Sequence, residues 1–66
     1  MLLHNIIKRN QFQMLLNRRR IVQIRDGGGA WFAGHNVTDW SLSMLRQHVR
    51  DLIAANAMLR RQLSHV

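Results

Sequence analysis

Three adjacent glycines in the middle of the chain, Gly27–Gly29, constrain the fold more than any other feature. The β-branched segment Ile21–Ile24 precedes them, and β-branched residues favour a strand. Asp26 and the glycines are typical of a turn, because glycine adopts positive φ at little steric cost. Ala30–Ala33 then has the aromatic content of a return strand. The pattern predicts a β-hairpin over residues of about 20–34.

Apolar segments flank this hairpin on both sides and predict two helices. The first covers residues of about 2–17, which contain no glycine or proline. The second covers about 39–63 and follows Thr38-Asp39, residue types that cap helices. Its apolar stripe alternates spacings of three and four residues: Leu42, Leu45, Val49, Leu52, Asn56, Leu59 and Leu63. We therefore expect one small α+β domain over 1–66, in the order helix, β-hairpin, helix, with a long C-terminal helix.

The stripe on the second helix has two interpretations. Asn56 occupies a heptad a position, where a single asparagine often fixes the register and oligomeric state of a coiled coil. However, no acid flanks the stripe to pair across an interface, and any helix with one packed face shows this spacing. We expect residues 42–53 to pack on the domain's own core. The last turns, with Leu59 and Leu63, are expected to protrude toward another chain.

Positive charge dominates the first half of the chain. Ten lysines and arginines face three aspartates, the net charge is +7, and no acid precedes Asp26. Such a balance favours contact with polyanions, including nucleic acid. The candidate phosphate-facing residues are Arg18, Arg19, Arg20 and Arg25. The first three also fall where a helix C-terminus favours cations, so a capping role competes with a nucleic-acid role.

The composition argues against catalysis. Cysteine and glutamate are absent, and the four histidines are scattered without metal-ligand spacing. The triple glycine lacks the lysine of a phosphate-binding loop and precedes a strand rather than a helix. We expect no enzyme activity, catalytic residue, metal, cofactor or small-molecule substrate. No apolar run approaches the roughly 18 residues of a membrane span, so no membrane partner is expected either.

The aromatic residues are too large for a domain of 66 residues to bury all of them. Trp40, at the start of the second helix, is expected in the core. Trp31 and Phe32 are neighbours on a strand and therefore point to opposite faces. We expect one of them in the core and the other exposed or covered by another chain.

The layout resembles the gpW-like head-completion (head–tail joining) proteins of tailed bacteriophages, in which two helices flank one antiparallel hairpin. The resemblance covers roughly two-thirds of the chain. It rests on the spacing of the leucines that end the first helix, the arginines, the β-branched and aromatic strands, the glycine turn and the Thr38-Asp39 helix start.

The resemblance implies a structural virion protein at the head–tail junction, assembled in the host cytoplasm. Its copies would form a ring between the portal protein and an adjacent neck or tail protein. The ring would surround a DNA channel whose arginines contact phosphate without reading bases. The residues expected to contact other copies or partners are Trp31, Phe32, Asn56, Leu59, Leu63, Ile6 and Ile7.

Two other functions fit the same residues. A small dimeric basic DNA-binding regulator would dimerise along Leu45, Leu52, Asn56 and Leu59 and place its hairpin in a groove of the duplex. A small inhibitor would sequester an anionic ligand or an acidic host surface. Solution behaviour separates them, because the regulator predicts a stable dimer with sequence-selective DNA binding.

Overall fold

The computed structural model describes residues 2–64 and shows a small α+β domain, as expected. The chain order is α1 (Leu3–Asp26), β1 (Trp31–Phe32), β2 (His35–Asn36) and α2 (Thr38–Ser64). The first and last residues of the domain expected over 1–66 lie outside the described range.

The two helices run antiparallel along most of the molecule. Asn10 on α1 bonds to Asn56 on α2, and Asn17 on α1 bonds to His48 on α2, so the partner number rises as the α1 number falls. The result is a rod with principal extents of 51 × 18 × 14 Å. The short hairpin joins the helices at one end of this rod.

Helix α1 continues nine residues beyond the expected end at about residue 17 and includes Ile21–Ile24, so the predicted first strand is wrong. The reason is a stripe on α1 that matches the one on α2. Its buried or half-buried members alternate spacings of four and three residues: Leu3, Ile7, Asn10, Met14, Asn17, Ile21 and Ile24. Packing of this stripe against α2 outweighs the weak strand preference of the β-branched residues.

The triple glycine ends α1 and does not form the hairpin turn. The Gly27 N–H donates to the Gln23 carbonyl at 2.7 Å, and the Gly29 N–H donates to the Ile24 carbonyl at 2.9 Å. The second bond, with Gly28 at φ +96°, is that of a Schellman motif. The expected turn is therefore a helix C-cap.

The hairpin lies at residues 31–36 instead of about 20–34. Trp31 pairs with Asn36, and Phe32 pairs with His35 in antiparallel register. Ala33 and Gly34 form the turn at φ +49° and +79°, the signs that a type I′ turn requires.

Thr38 attaches the hairpin to the start of α2. Its Oγ1 accepts a hydrogen bond from the Ala30 N–H at 2.9 Å. Asn36 Oδ1 accepts from both the N–H and the hydroxyl of Thr38, at 3.0 and 2.6 Å. This network satisfies polar groups that the beginning of a helix otherwise leaves unpaired.

The core is thin because two helices share only one face. Among residues 2–64, the buried hydrophobic side chains are Ile7 and Ile24, and the buried polar ones are Asn17 and Asn56. Trp40 is 65% exposed, so its expected place in the core is wrong. The hairpin also contributes no buried side chain, because it extends from the end of the rod rather than covering the helices.

Candidate functional site

Asn56 lies at the centre of the contact between the helices and is 0% exposed. Its Oδ1 accepts a hydrogen bond from Asn10 Nδ2 at 2.9 Å, and its Nδ2 donates to the Ile7 carbonyl at 3.3 Å. Asn56 was expected to contact a second chain. In this fold it contacts the chain's own α1, because α1 carries a complementary stripe, and it is not accessible to a partner.

A second polar group crosses the same contact one heptad away. The buried Asn17 accepts from Gln13 Nε2 at 3.0 Å and donates from Nδ2 to His48 Nδ1 at 2.8 Å. These partners of α2 were not among the expected contact residues, although the seven-residue spacing of Asn10 and Asn17 on α1 is a signal for them in the sequence.

These cross-helix bonds determine the alignment of the rod. Sliding one helix by a turn would bury both asparagines without partners, which costs more than the bonds themselves contribute. The amides therefore specify which residues face each other, and they place the hairpin at a defined end.

The phosphate-facing candidates lie on the surface of α1. Arg18, Arg19 and Arg20 are exposed in the middle of the helix, so the C-terminal capping role does not apply to them. Successive helical residues differ by about 100°, so the three side chains spread around α1 rather than form one cluster. Arg25 is in the last turn and pairs with Asp26 at 3.1 Å, with both side chains exposed.

The hairpin end carries a group of exposed aromatic side chains, Trp31, Phe32 and Trp40, which we call the aromatic tip. Trp31 is 65% exposed and Phe32 is 75% exposed, so neither enters a core and the expectation that one would do so is wrong. Residues of the tip line a shallow groove, and Arg20 of α1 borders it.

A second apolar surface lies on α1, on the side away from α2. We call it the outer face of α1; its exposed members are Phe12, Leu15, Leu16 and Val22. Met44 and Met58 are exposed on α2, but they lie 14 positions apart, about 21 Å along the helix, and therefore stand as separate apolar side chains. Of the other expected contact residues, Ile7 is buried, whereas Ile6, Leu59 and Leu63 are half-buried.

Within residues 2–64, no three histidine or carboxylate side chains stand close enough together to hold a metal ion. Over the same range, neither helix combines the length and the apolar character needed to cross a bilayer.

The chain was compared with protein-family models, with curated proteins and with solved structures, and none of these comparisons gave a match. Inferences about function therefore rest on the aromatic tip, the outer face of α1 and the arginines.

Proposed function

We propose that this protein is a non-enzymatic assembly component of the head–tail connector type, forming a ring between portal and tail components around a DNA channel. The observation that supports the proposal is the distribution of apolar side chains. Among residues 2–64, eleven large hydrophobic side chains are exposed, whereas two hydrophobic side chains are buried. A surface of this kind is typical of a protein that completes its burial against other chains.

The total surface area agrees with this interpretation. The accessible surface is 5256 Å². A compact monomer of 7.8 kDa is expected to expose about 4,400 Å². The excess is comparable to the roughly 800 Å² that each partner buries in a standard protein interface.

A ring requires each copy to present two different, complementary patches, because a single self-complementary patch closes into a dimer. The rod offers two different surfaces for such contacts. One is the outer face of α1 with Phe12, Leu15 and Leu16, and the other is the solvent-exposed side of α2, where Met44 and Met58 are exposed. We assign these two surfaces to the contacts between neighbouring copies.

The exposed arginines supply the contact with DNA. Arg18, Arg19, Arg20 and Arg25 are exposed, and the net charge is +7. Phosphate neutralisation by arginine is independent of sequence, which suits a channel through which every sequence passes.

The alternative of a dimeric DNA-binding regulator has less support from the geometry. Its dimer interface would use Leu45, Leu52 and Leu59 around Asn56, the stripe that packs on α1 in this fold. We therefore prefer the connector.

Sedimentation of the protein alone and with purified phage portal rings tests the proposal. We expect the free protein to be a monomer or weak oligomer and to bind the ring in several copies. The double variant Leu15→Gln/Leu16→Gln should weaken ring binding while leaving thermal unfolding nearly unchanged, because both side chains are exposed. The matched control, Gln62→Ala, alters an exposed polar residue of α2 and should bind normally. A tight dimer that never associates with the ring would contradict the proposal.

A further inference from the structure

We propose that the aromatic tip inserts into the headgroup region of an anionic lipid bilayer. This inference goes beyond the assembly role and does not depend on it. The expectation of no membrane partner came from the lack of a spanning segment, and a tip that enters only the interface needs none.

The two strand residues of the aromatic tip point in opposite directions. Trp31 and Phe32 are consecutive in β1, so their side chains leave opposite faces of the hairpin. Both are largely exposed. A flat protein surface would cover one face and leave the other in water. A bilayer interface surrounds the hairpin and covers both faces at once.

The exposed area of the aromatic tip is small compared with a protein–protein interface. Three aromatic side chains at about two-thirds exposure offer roughly 300 to 500 Å². A stable contact with a second copy needs roughly 800 Å² from each partner. The tip is therefore too small to hold a second copy by itself, whereas tryptophan has a specific preference for the level of the lipid headgroups.

The charged side chains lie behind the hairpin rather than on it. Residues 27–38 contain no lysine, arginine, aspartate or glutamate, and His35 is their one ionisable side chain. Behind this uncharged segment lie Arg18–Arg20 and Arg25, opposed by Asp26 and Asp39. Arg20 borders the aromatic groove, where a guanidinium can bind a lipid phosphate while the rings enter the interface. An apolar end followed by net positive charge complements an anionic bilayer.

The backbone of the hairpin turn has an unusual conformation at Ala33. Ala33 has φ +49°, a left-handed conformation that asparagine and glycine adopt more readily than alanine. At the neighbouring Gly34, which has φ +79°, an added Cβ would meet nothing within 4 Å, so the turn is open to its surroundings. Alanine keeps the turn apolar at some cost in stability. Backbone strain of this kind is concentrated at functional sites, and here it coincides with the proposed point of insertion.

Vesicle binding by the full chain tests the inference, with Trp40→Phe as the background so that Trp31 alone reports by fluorescence. We expect the Trp31 emission to shift to shorter wavelength, and to be quenched by brominated acyl chains, on vesicles of equal phosphatidylcholine and phosphatidylserine. Binding should be more than about tenfold weaker on pure phosphatidylcholine, since each net positive charge near an anionic surface contributes to affinity.

Two variants separate the tip from the rest of the rod, and binding by both is measured from sedimentation with vesicles. Trp31→Ser/Phe32→Ser should reduce binding at least about tenfold with little change in thermal unfolding, because both side chains are exposed. Phe12→Ser removes an exposed aromatic ring from the outer face of α1 and should leave vesicle binding unchanged.

A third variant moves stability and binding in opposite directions. Ala33→Asn suits the left-handed turn, so it should raise the unfolding temperature while weakening vesicle binding. No binding of the wild type to anionic vesicles would overturn the inference, even if the tip binds the portal ring. Equal losses of vesicle binding in Phe12→Ser and Trp31→Ser/Phe32→Ser would overturn it as well.

Discussion

Asn56 is fully enclosed, and both ends of its amide are paired across the helices. We expect Asn56→Leu to lower the free energy of unfolding by about 1–3 kcal/mol, because it leaves the Asn10 amide without its partner. Urea unfolding measures the change.

Two further variants make this measurement specific. Asn5→Leu alters an exposed asparagine of α1 and should change stability by less than about 0.5 kcal/mol. The double variant Asn10→Leu/Asn56→Leu should recover most of the loss, because it replaces both partners with apolar groups. A stable single Asn56→Leu variant would show that the amide pair does not hold the helices in register.

Gly29 and Gly28 form a matched pair for testing the link between the helices. Both have positive φ, at +107° and +96°, so alanine strains the backbone at either position. A Cβ at Gly29 would also collide with Thr38 Oγ1, whereas a Cβ at Gly28 meets nothing within 4 Å. We expect Gly29→Ala to lower the unfolding temperature clearly more than Gly28→Ala. Equal effects would mean that Thr38 does not fix the start of α2.

At the scale of the elements, the second helix was predictable within a residue at each end, because its stripe consists mainly of leucine. The first helix was not. Its stripe contains Asn10 and Asn17, which a search for apolar residues omits, and the β-branched segment Ile21–Ile24 favours a strand when considered locally. The correct state depends on packing against α2, which is remote along the chain, as the 31-position span of the Asn17–His48 bond shows.

The exposed surface could be predicted only in part from the sequence. The sequence showed that the domain carries more aromatic area than it can bury, and the exposed Trp31 and Phe32 agree with that. The location of Trp40 could not be deduced, because it depends on whether the hairpin folds back over the helices or extends from their end.

Val22 and Ile24 distinguish a helix from a strand at this segment. In a strand the two side chains would share one face and similar burial. In α1, Ile24 is 3% exposed and Val22 is 45% exposed. We expect Ile24→Ala to cost about 2–5 kcal/mol of unfolding free energy. Val22→Ala should cost less than about 1 kcal/mol because Val22 is exposed. Comparable losses in urea unfolding would favour the strand.

At the scale of the whole molecule, stability should depend on salt. The net charge is +7, and the ion pair found among residues 2–64 is the exposed Arg25–Asp26 pair, so self-repulsion outweighs attraction. Raising the ionic strength from about 0.01 to 0.15 M shortens the screening length from about 30 to 8 Å. We expect the unfolding temperature to rise by a few degrees in sodium chloride, and to rise less in Arg18→Gln/Arg19→Gln. A fall with salt would contradict the self-repulsion.

The hydrogen bonds that join the two halves of the chain also suggest an order of folding. The separation of the bonded residues along the chain is 8 positions for Ala30 and Thr38, 31 for Asn17 and His48, and 46 for Asn10 and Asn56. Loop-closure entropy grows with separation, so the bond beside the glycines is the least costly to form first. Closure there shortens every later loop, and the contacts between the helices can then form one after another from the hairpin toward Leu3 and Leu63. On this order, folding begins at the hairpin, which extends from the end of the rod. The opposite end, where Leu3 and Leu63 lie, is the last to form and the first to fray.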